Sequence, residues 1–414
     1  MTCRQGAIGA TIDLWGAVLR THDERLILPA IFLACIGCLQ PGIDPVFLTL
    51  LSSAHEVTPE AHGWVVTLTQ SGMAIGAIIA WRWGHLLPRA IFAGAACLAI
   101  AAALLTAQVA DLPTLLALRA GYGGAMGLVY TQAVSSAARN RPHGAYGAVF
   151  LCQLILATLI ALGLPAIAQA FGPQAALRTL ALPPLLALLL VLTRESSLGT
   201  ARNEIAPRME HGTSGASMSA WATAGASLLF ICATMMVWTF SGAMAVKAGI
   251  SEETIGQAVA IGSLAGAATA LLVMRERLVV PPPLTGVLAG ISLLAPIAAT
   301  QTAVALAFVI AIILLNIGST AIIVRTSGLA SAASRDGLFR RFVACTHPLG
   351  MILGPLTGSL ASAFFGQQGL LMAAITAIAS GCALLLFAQR HTLFRSRWSV
   401  DEESLDEYLT NVQH

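Results

Sequence analysis

The sequence predicts an all-α membrane protein of twelve transmembrane helices arranged as two pseudo-symmetric six-helix bundles. Three observations predict it. Of 414 residues, 57% are hydrophobic and only 10% are charged, where soluble domains carry about 25% charge. The apolar residues gather into twelve runs, each close to the ~20 residues that cross a hydrocarbon layer. Arginines collect in alternate connections between those runs, which is how membrane spans are oriented.

The runs cover roughly 27–51, 62–81, 90–107, 113–136, 145–169 and 174–193, then 218–246, 254–274, 281–300, 302–328, 341–365 and 367–389. A charged lead-in over 1–26 (Arg4, Asp13, Arg20, Asp23, Glu24, Arg25) has no apolar core and no cleavage pattern, so it reads as a cytoplasmic segment and not a signal peptide. The first six runs make an N-terminal half, 27–193. The longest polar interval, RESSLGTARNEIAPRMEHGTSG, opens a central loop over 194–217, a second half follows over 218–389, and a tail occupies 390–414.

With the N-terminus inside, Arg82, Arg89, Arg139, Arg141, Arg194, Arg202, Arg208, Arg275, Arg277, Arg335, Arg340, Arg341, Arg390, Arg395 and Arg397 all fall inside. The outer loops then hold Lys247 with Glu252 and Glu253, and otherwise acidic or neutral residues such as Glu56, Glu60 and Asp111. This places both termini in the cytoplasm of a multi-pass protein of the cell membrane, a bacterial inner membrane in view of the arginine-over-lysine usage. The halves also share a faint repeat: QSGMAIGAIIA (70–80) and AIGSLAGAATA (260–270) both carry GxxxGA. Small residues four apart let helices pack closely, and related halves around a midplane site are a transporter plan.

Composition narrows the function. No basic domain exists to hold nucleic acid. Seven of the eight cysteines sit inside apolar runs, and the single CxxC, Cys35 and Cys38, has no second pair, so no metal site, cofactor or disulfide framework is expected. A Walker sequence, GxSxG and HExxH are absent, and a paired-aspartate protease needs a second carboxylate at depth. The chain is therefore read as a non-enzyme.

The first run, LILPAIFLACIGCLQPGIDPVFLTLL, carries the main exception to apolarity. Asp44 lies there between Pro41 and Pro45, and a charge at mid-span costs about 2.5–3.5 kcal/mol on insertion scales. Arg119 lies in the fourth run at a matching depth, roughly 8 Å outward of the middle. The two are expected to face a shared cavity in the N-terminal half, either as a proton-breakable pair or as a fixed structural pair. Arg178 and Arg325, near run ends, are expected to snorkel. Gln70, Gln153 and Asn316 sit near mid-span, with Gln40 one turn inward of Asp44. Each is either interhelical glue or part of a polar lining. Trp238 fits stacking on a solute or an interfacial belt, and His347 fits a titrating group or a satisfied residue at a kink.

The phrase Arg119-AGY-Gly123-GAM-Gly127 resembles the fourth-helix arginine-and-glycine motif of the major facilitator superfamily, and Arg82 to Arg89 resembles its signature loop between helices 2 and 3. There His85, Leu86 and Pro88 replace the usual aspartate, arginine and glycine. Gly350-MIL-Gly354-Pro355-LT-Gly358 resembles the helix-bending motif that antiporters carry in helix 5, but here it falls in span 11. The resemblance implies two bundles with a solute site between them, alternating access, and proton coupling through Asp44 and Arg119. The expected substrate-binding set is Gln40, Gln70, Gln153, Trp238, Asn316 and His347. The function expected is transport of a small organic solute by a monomer, with proton symport. Efflux of drugs or metabolites is the alternative, and a transport-inactive sensor the third reading.

Overall fold

The computed structural model describes residues 27–55, 57, 59–193, 216–274, 280–334 and 336–412. The expectations for the lead-in, for most of the central loop and for Arg194, Arg202, Arg208, Arg275, Arg277 and Arg335 fall outside the described residues. Every regular element among the described residues is a helix: α1 (Leu28–Gly37), α2 (Gln40–His55), α3 (Pro59–Trp83), α4 (Arg89–Thr106), α5 (Leu112–Ala137), α6 (Pro142–Phe171), α7 (Pro173–Thr179), α8 (Leu182–Leu192), α9 (Met218–Lys247), α10 (Glu252–Val273), α11 (Pro282–Thr300), α12 (Ala305–Ala332) and α13 (Gly337–Val412).

Nine of the spans in this set are long and apolar enough to cross a membrane, with α7 and α8 forming one of them; α1 and α2 make a tenth, bent by 40°. The bend has a local cause. Pro41 has no N–H for the ladder, and the chain leaves helical order between Gly37 and Gln40. The freed Cys38 carbonyl accepts a hydrogen bond from Gln153 Nε2 at 2.9 Å, as backbone groups at membrane depth require. The helix α5 is 26 residues long but less apolar, because it buries Arg119, Tyr122, Gln132, Ser135 and Ser136. The twelfth crossing comes from α13, which reverses at Gly366, where φ 61° and ψ −151° define a conformation open essentially to glycine alone. Before the reversal, Gly350 and Gly354 pack on Ile231 and Cys232 of α9; after it, Gly381 packs on Phe230. Ser219 Oγ, at the start of α9, donates to the Ala388 carbonyl at 2.8 Å. The two limbs of α13 thus run antiparallel.

The same pairings occur in both halves. In the first bundle α3 packs on α5 and the α1–α2 span on α6; in the second, α10 packs on α12 and α9 on α13. The repeated GxxxG segments lie at the equivalent contacts. A Cβ on Gly76 would lie 2.0 Å from the Gly124 carbonyl oxygen, and one on Gly123 would lie 1.9 Å from the Thr69 carbonyl oxygen. Gly262 and Gly266 face α12 at the corresponding place, but meet chiefly the side chains of Ile312, Asn316 and Thr320. Between the bundles, α6 packs on α10 and α12, and α3 and α5 pack on α13.

Gly76→Val should lower stability by about 3 kcal/mol or prevent insertion, because the overpacked atoms abut backbone. Gly94→Ala should be neutral, since nothing lies within 4 Å of a Cβ there. Thermal unfolding in detergent distinguishes the two, and equal midpoints would remove the close-approach argument.

Candidate functional site

Two polar loci stand out, at different places. The first lies inside the first bundle. Asp111 caps α5 by accepting the Thr114 N–H at 3.0 Å, and the hydrogen bonds from Thr114 hold its carboxyl below the usual carboxylate range. Two turns on, Arg119 is only 2% exposed. Its guanidinium carbon sits 4.4 Å from the Phe47 ring centroid and 4.6 Å from that of Tyr122. Nε donates to Thr69 Oγ1 at 3.2 Å, and Nη2 is buried with no hydrogen-bond partner. Desolvated cation–π contacts contribute about 2 kcal/mol each, which offsets part of the cost of burying the charge.

Asp44, half-buried, accepts a hydrogen bond from Gln40 Nε2 at 2.7 Å. The two charges interact through space, but the direct ion pair anticipated from their matched depth is not formed. Gln40 lies one helical turn from Asp44 and reaches it along the same face, while two rings and Thr69 occupy Arg119. A cavity of about 10 Å³, lined by Arg119, Gln40, Tyr122, Thr106, Leu39 and apolar residues of α2, α4, α7 and α8, adjoins the guanidinium. This is room for about one water, it lies within one bundle, and Asp44 is not part of its lining.

The second locus lies where the bundles meet. His347, on the first limb of α13, is 9% exposed. Its ring lies 5.8 Å from that of Tyr130 on α5 and 5.3 Å, edge-on, from that of Phe150 on α6. Its Nδ1 is buried without a partner. Gln153, one turn beyond Phe150, is held by the Cys38 carbonyl and leaves its buried Oε1 unpartnered.

The expected lining does not converge on one point. Gln40 joins the first locus, His347 and Gln153 the second. Gln70 is buried on α3 beside Thr69. Asn316 donates to the Ile312 carbonyl at 2.9 Å and closes against Gly262, so it serves the α10–α12 contact. Trp238 is half-buried and packs against two apolar clusters, one confined to the second bundle and one that runs through both. Arg325 does not snorkel: it is 9% exposed and Nη1 donates to Thr285 Oγ1 at 2.5 Å, because its position on α12 faces α11. Cys35 and Cys38 are buried free thiols. Phe47, Thr69, Tyr122, Tyr130 and Phe150 were not singled out from sequence. Phe47 follows Asp44 by three residues and Tyr122 follows Arg119 by three, a same-face spacing that could have flagged both.

The end of the molecule bearing Arg82, Arg89, Arg139, Arg141, Arg340 and Arg341, the arginine end, is where the bundles are latched. Trp81 at the end of α3 lies 5.2 Å, ring tilted, from Phe342 of α13, and Arg341 Nε donates to the Trp81 carbonyl at 3.2 Å. Within the second bundle, Trp221 of α9 backs this pair, 4.9 Å from Phe339 and 4.8 Å from Phe342. On the α6 side, Ser331 Oγ and Tyr146 Oη are 3.3 Å apart, and Gly147 and Gly328 press on Met274 and His143. Where His85 and Leu86 replace the charged pair of the signature loop, aromatic packing holds the bundles together. Removing the ring in Trp81→Ala should loosen this end. In a variant whose only cysteine is Cys345, fully buried two residues before His347, alkylation should quicken about tenfold, the worth of one or two ring contacts. An unchanged rate would show that the latch lies elsewhere.

No family model matches the chain, and no curated protein sequence matches it. Solved structures do. The human organic anion transporter MFSD10 (TETRAN) superposes with a TM-score of 0.65 and 13% identity over 88% of this chain and 100% of that one. A bacterial homologue of the iron transporter ferroportin, in an outward-facing state with soaked iron, superposes with a TM-score of 0.61 and 15% identity over 88% and 99%. At such identities the likeness is one of architecture: the chain has the twelve-helix, two-bundle fold of the major facilitator superfamily.

Proposed function

We propose that the chain is a secondary transporter, not an enzyme, that moves a small organic solute across the membrane by alternating access with proton symport. The observation that carries this reading is the contact between bundles at His347, Tyr130 and Phe150. It is made by side chains from three helices of two bodies, and it leaves His347 Nδ1 and Gln153 Oε1 buried and unpartnered. A buried polar atom without a partner is costly, and a solute entering between the bundles would supply one.

The arginine end faces the cytoplasm of a bacterial inner membrane under the positive-inside rule, so both termini are cytoplasmic and the latched end is the cytoplasmic one. Asp44 takes the proton, because it is the half-buried carboxylate beside a fixed buried cation. Organic anions head the list of solutes, since the similarly folded MFSD10 is named as a transporter of that class. The functional unit is the monomer, in which each bundle supplies one wall.

In proteoliposomes, an imposed inward proton gradient should drive accumulation of the carried solute. Asp44→Asn should abolish the pH-driven component while sparing solute exchange. His347→Ala should reduce exchange about tenfold, as loss of one buried interaction does. Accumulation that ignores the gradient, or coupling that survives Asp44→Asn, would reject symport through this carboxylate.

A further inference from the structure

The cavity beside Arg119 carries a chemistry that the transport reading does not use. Its lining contains one cation and no carboxylate. The polar groups that reach it are donors: the Arg119 guanidinium, whose Nη2 has no partner, the Tyr122 hydroxyl, and the second N–H of the Gln40 amide, whose first is taken by Asp44. The Thr106 hydroxyl is spent on the Ala102 carbonyl. Apolar side chains such as Leu39, Ile43 and Leu177 close the rest. A guanidinium taken out of water needs a counter-charge or full hydrogen bonding. Here the rings of Phe47 and Tyr122 pack on the guanidinium, with centroids 4.4 and 4.6 Å from its carbon, and Nη2 is the group left for a ligand.

We infer that the first bundle binds a monovalent inorganic anion of halide size in the Arg119 cavity. The size of the cavity favours the class: about 10 Å³ is room for one particle not much larger than water, which suits a small inorganic anion better than an organic carboxylate. The site therefore stands apart from the solute contact at His347, and does not depend on the transport reading. The groups that titrate around it are Asp44 on α2 and Tyr122 on α5; on the far side, His55 reaches no closer than the Thr106 carbonyl, at 3.0 Å, and α7 presents only the exposed Arg178. Asp44 is the one carboxylate in electrostatic reach. Its protonation removes a negative charge next to the anion, so anion and proton favour each other's binding and affinity rises as pH falls through the Asp44 titration.

The test is thermal unfolding of the purified full-length protein in detergent, titrated with sodium chloride or sodium bromide against sodium gluconate at constant ionic strength. Chloride and bromide should raise the midpoint saturably where gluconate does not. Tyr122→Phe should weaken halide binding about fivefold, the worth of one hydrogen bond; Arg119→Gln should abolish it; Asp44→Asn should remove its pH dependence. Gluconate matching chloride, or a halide effect that survives Arg119→Gln, would overturn the site. If Arg119→Gln does not fold, bromide-soaked crystals of the unmodified protein decide: anomalous density beside Arg119 supports the assignment, and a water there with bromide elsewhere refutes it.

Discussion

The structure depends on how closely α3 and α5 approach, and α10 and α12 after them. With carbonyl oxygens where a Cβ would stand at Gly76 and Gly123, α3 and α5 meet backbone to backbone, while at Gly262 and Gly266 α10 meets mainly side chains of α12. In lipid, where no hydrophobic force drives helices together, such close packing is what makes a bundle a body. Each half is therefore rigid along its own pair, and the softer contacts between halves are where motion is cheap.

Those softer contacts grade from one end to the other. The arginine end is closed by the Trp81–Phe342 ring pair and a backbone-directed arginine, and the middle by His347 against Tyr130 and Phe150. Rings can part and re-stack with little directional penalty, which suits a gate that opens repeatedly. The two polar loci divide the electrostatic work: Asp44 and Arg119 sit within one body, and the imidazole sits at the joint.

Much of the architecture was legible in the sequence. Twelve apolar runs, the arginine alternation and the repeated GxxxG segments give the spans and mark α3 and α10 as close-packing helices, because span length and small-residue spacing are local properties; their partners, α5 and α12, came only with the structure. The polar residues were harder. Depth along a helix follows from residue number, which is why Asp44 and Arg119 were expected near one level. Azimuth does not follow once Pro41 bends the first span by 40°. Asn316 and Gln153 turned to backbone carbonyls, as buried amides do when one is in reach, and the aromatics flanking Arg119 and His347 look like ordinary apolar residues until three helices bring them together. Arg325 shows the same limit: a position near a span end says nothing about which neighbour it faces.

The central claim is that two rigid bundles rock against each other so that the arginine end, closed in this structure, opens. Spin labels at Leu86 and Leu338, exposed positions at that end of the two bundles, report it directly through double electron–electron resonance in nanodiscs, with Leu86 and Leu104 as a pair inside the first bundle. The account predicts a short Leu86–Leu338 distance that gains a longer population when a carried solute or low pH is supplied, while the Leu86–Leu104 distance stays fixed. A single unchanging distance across the bundles, or movement as large within the first bundle as between the two, would contradict it.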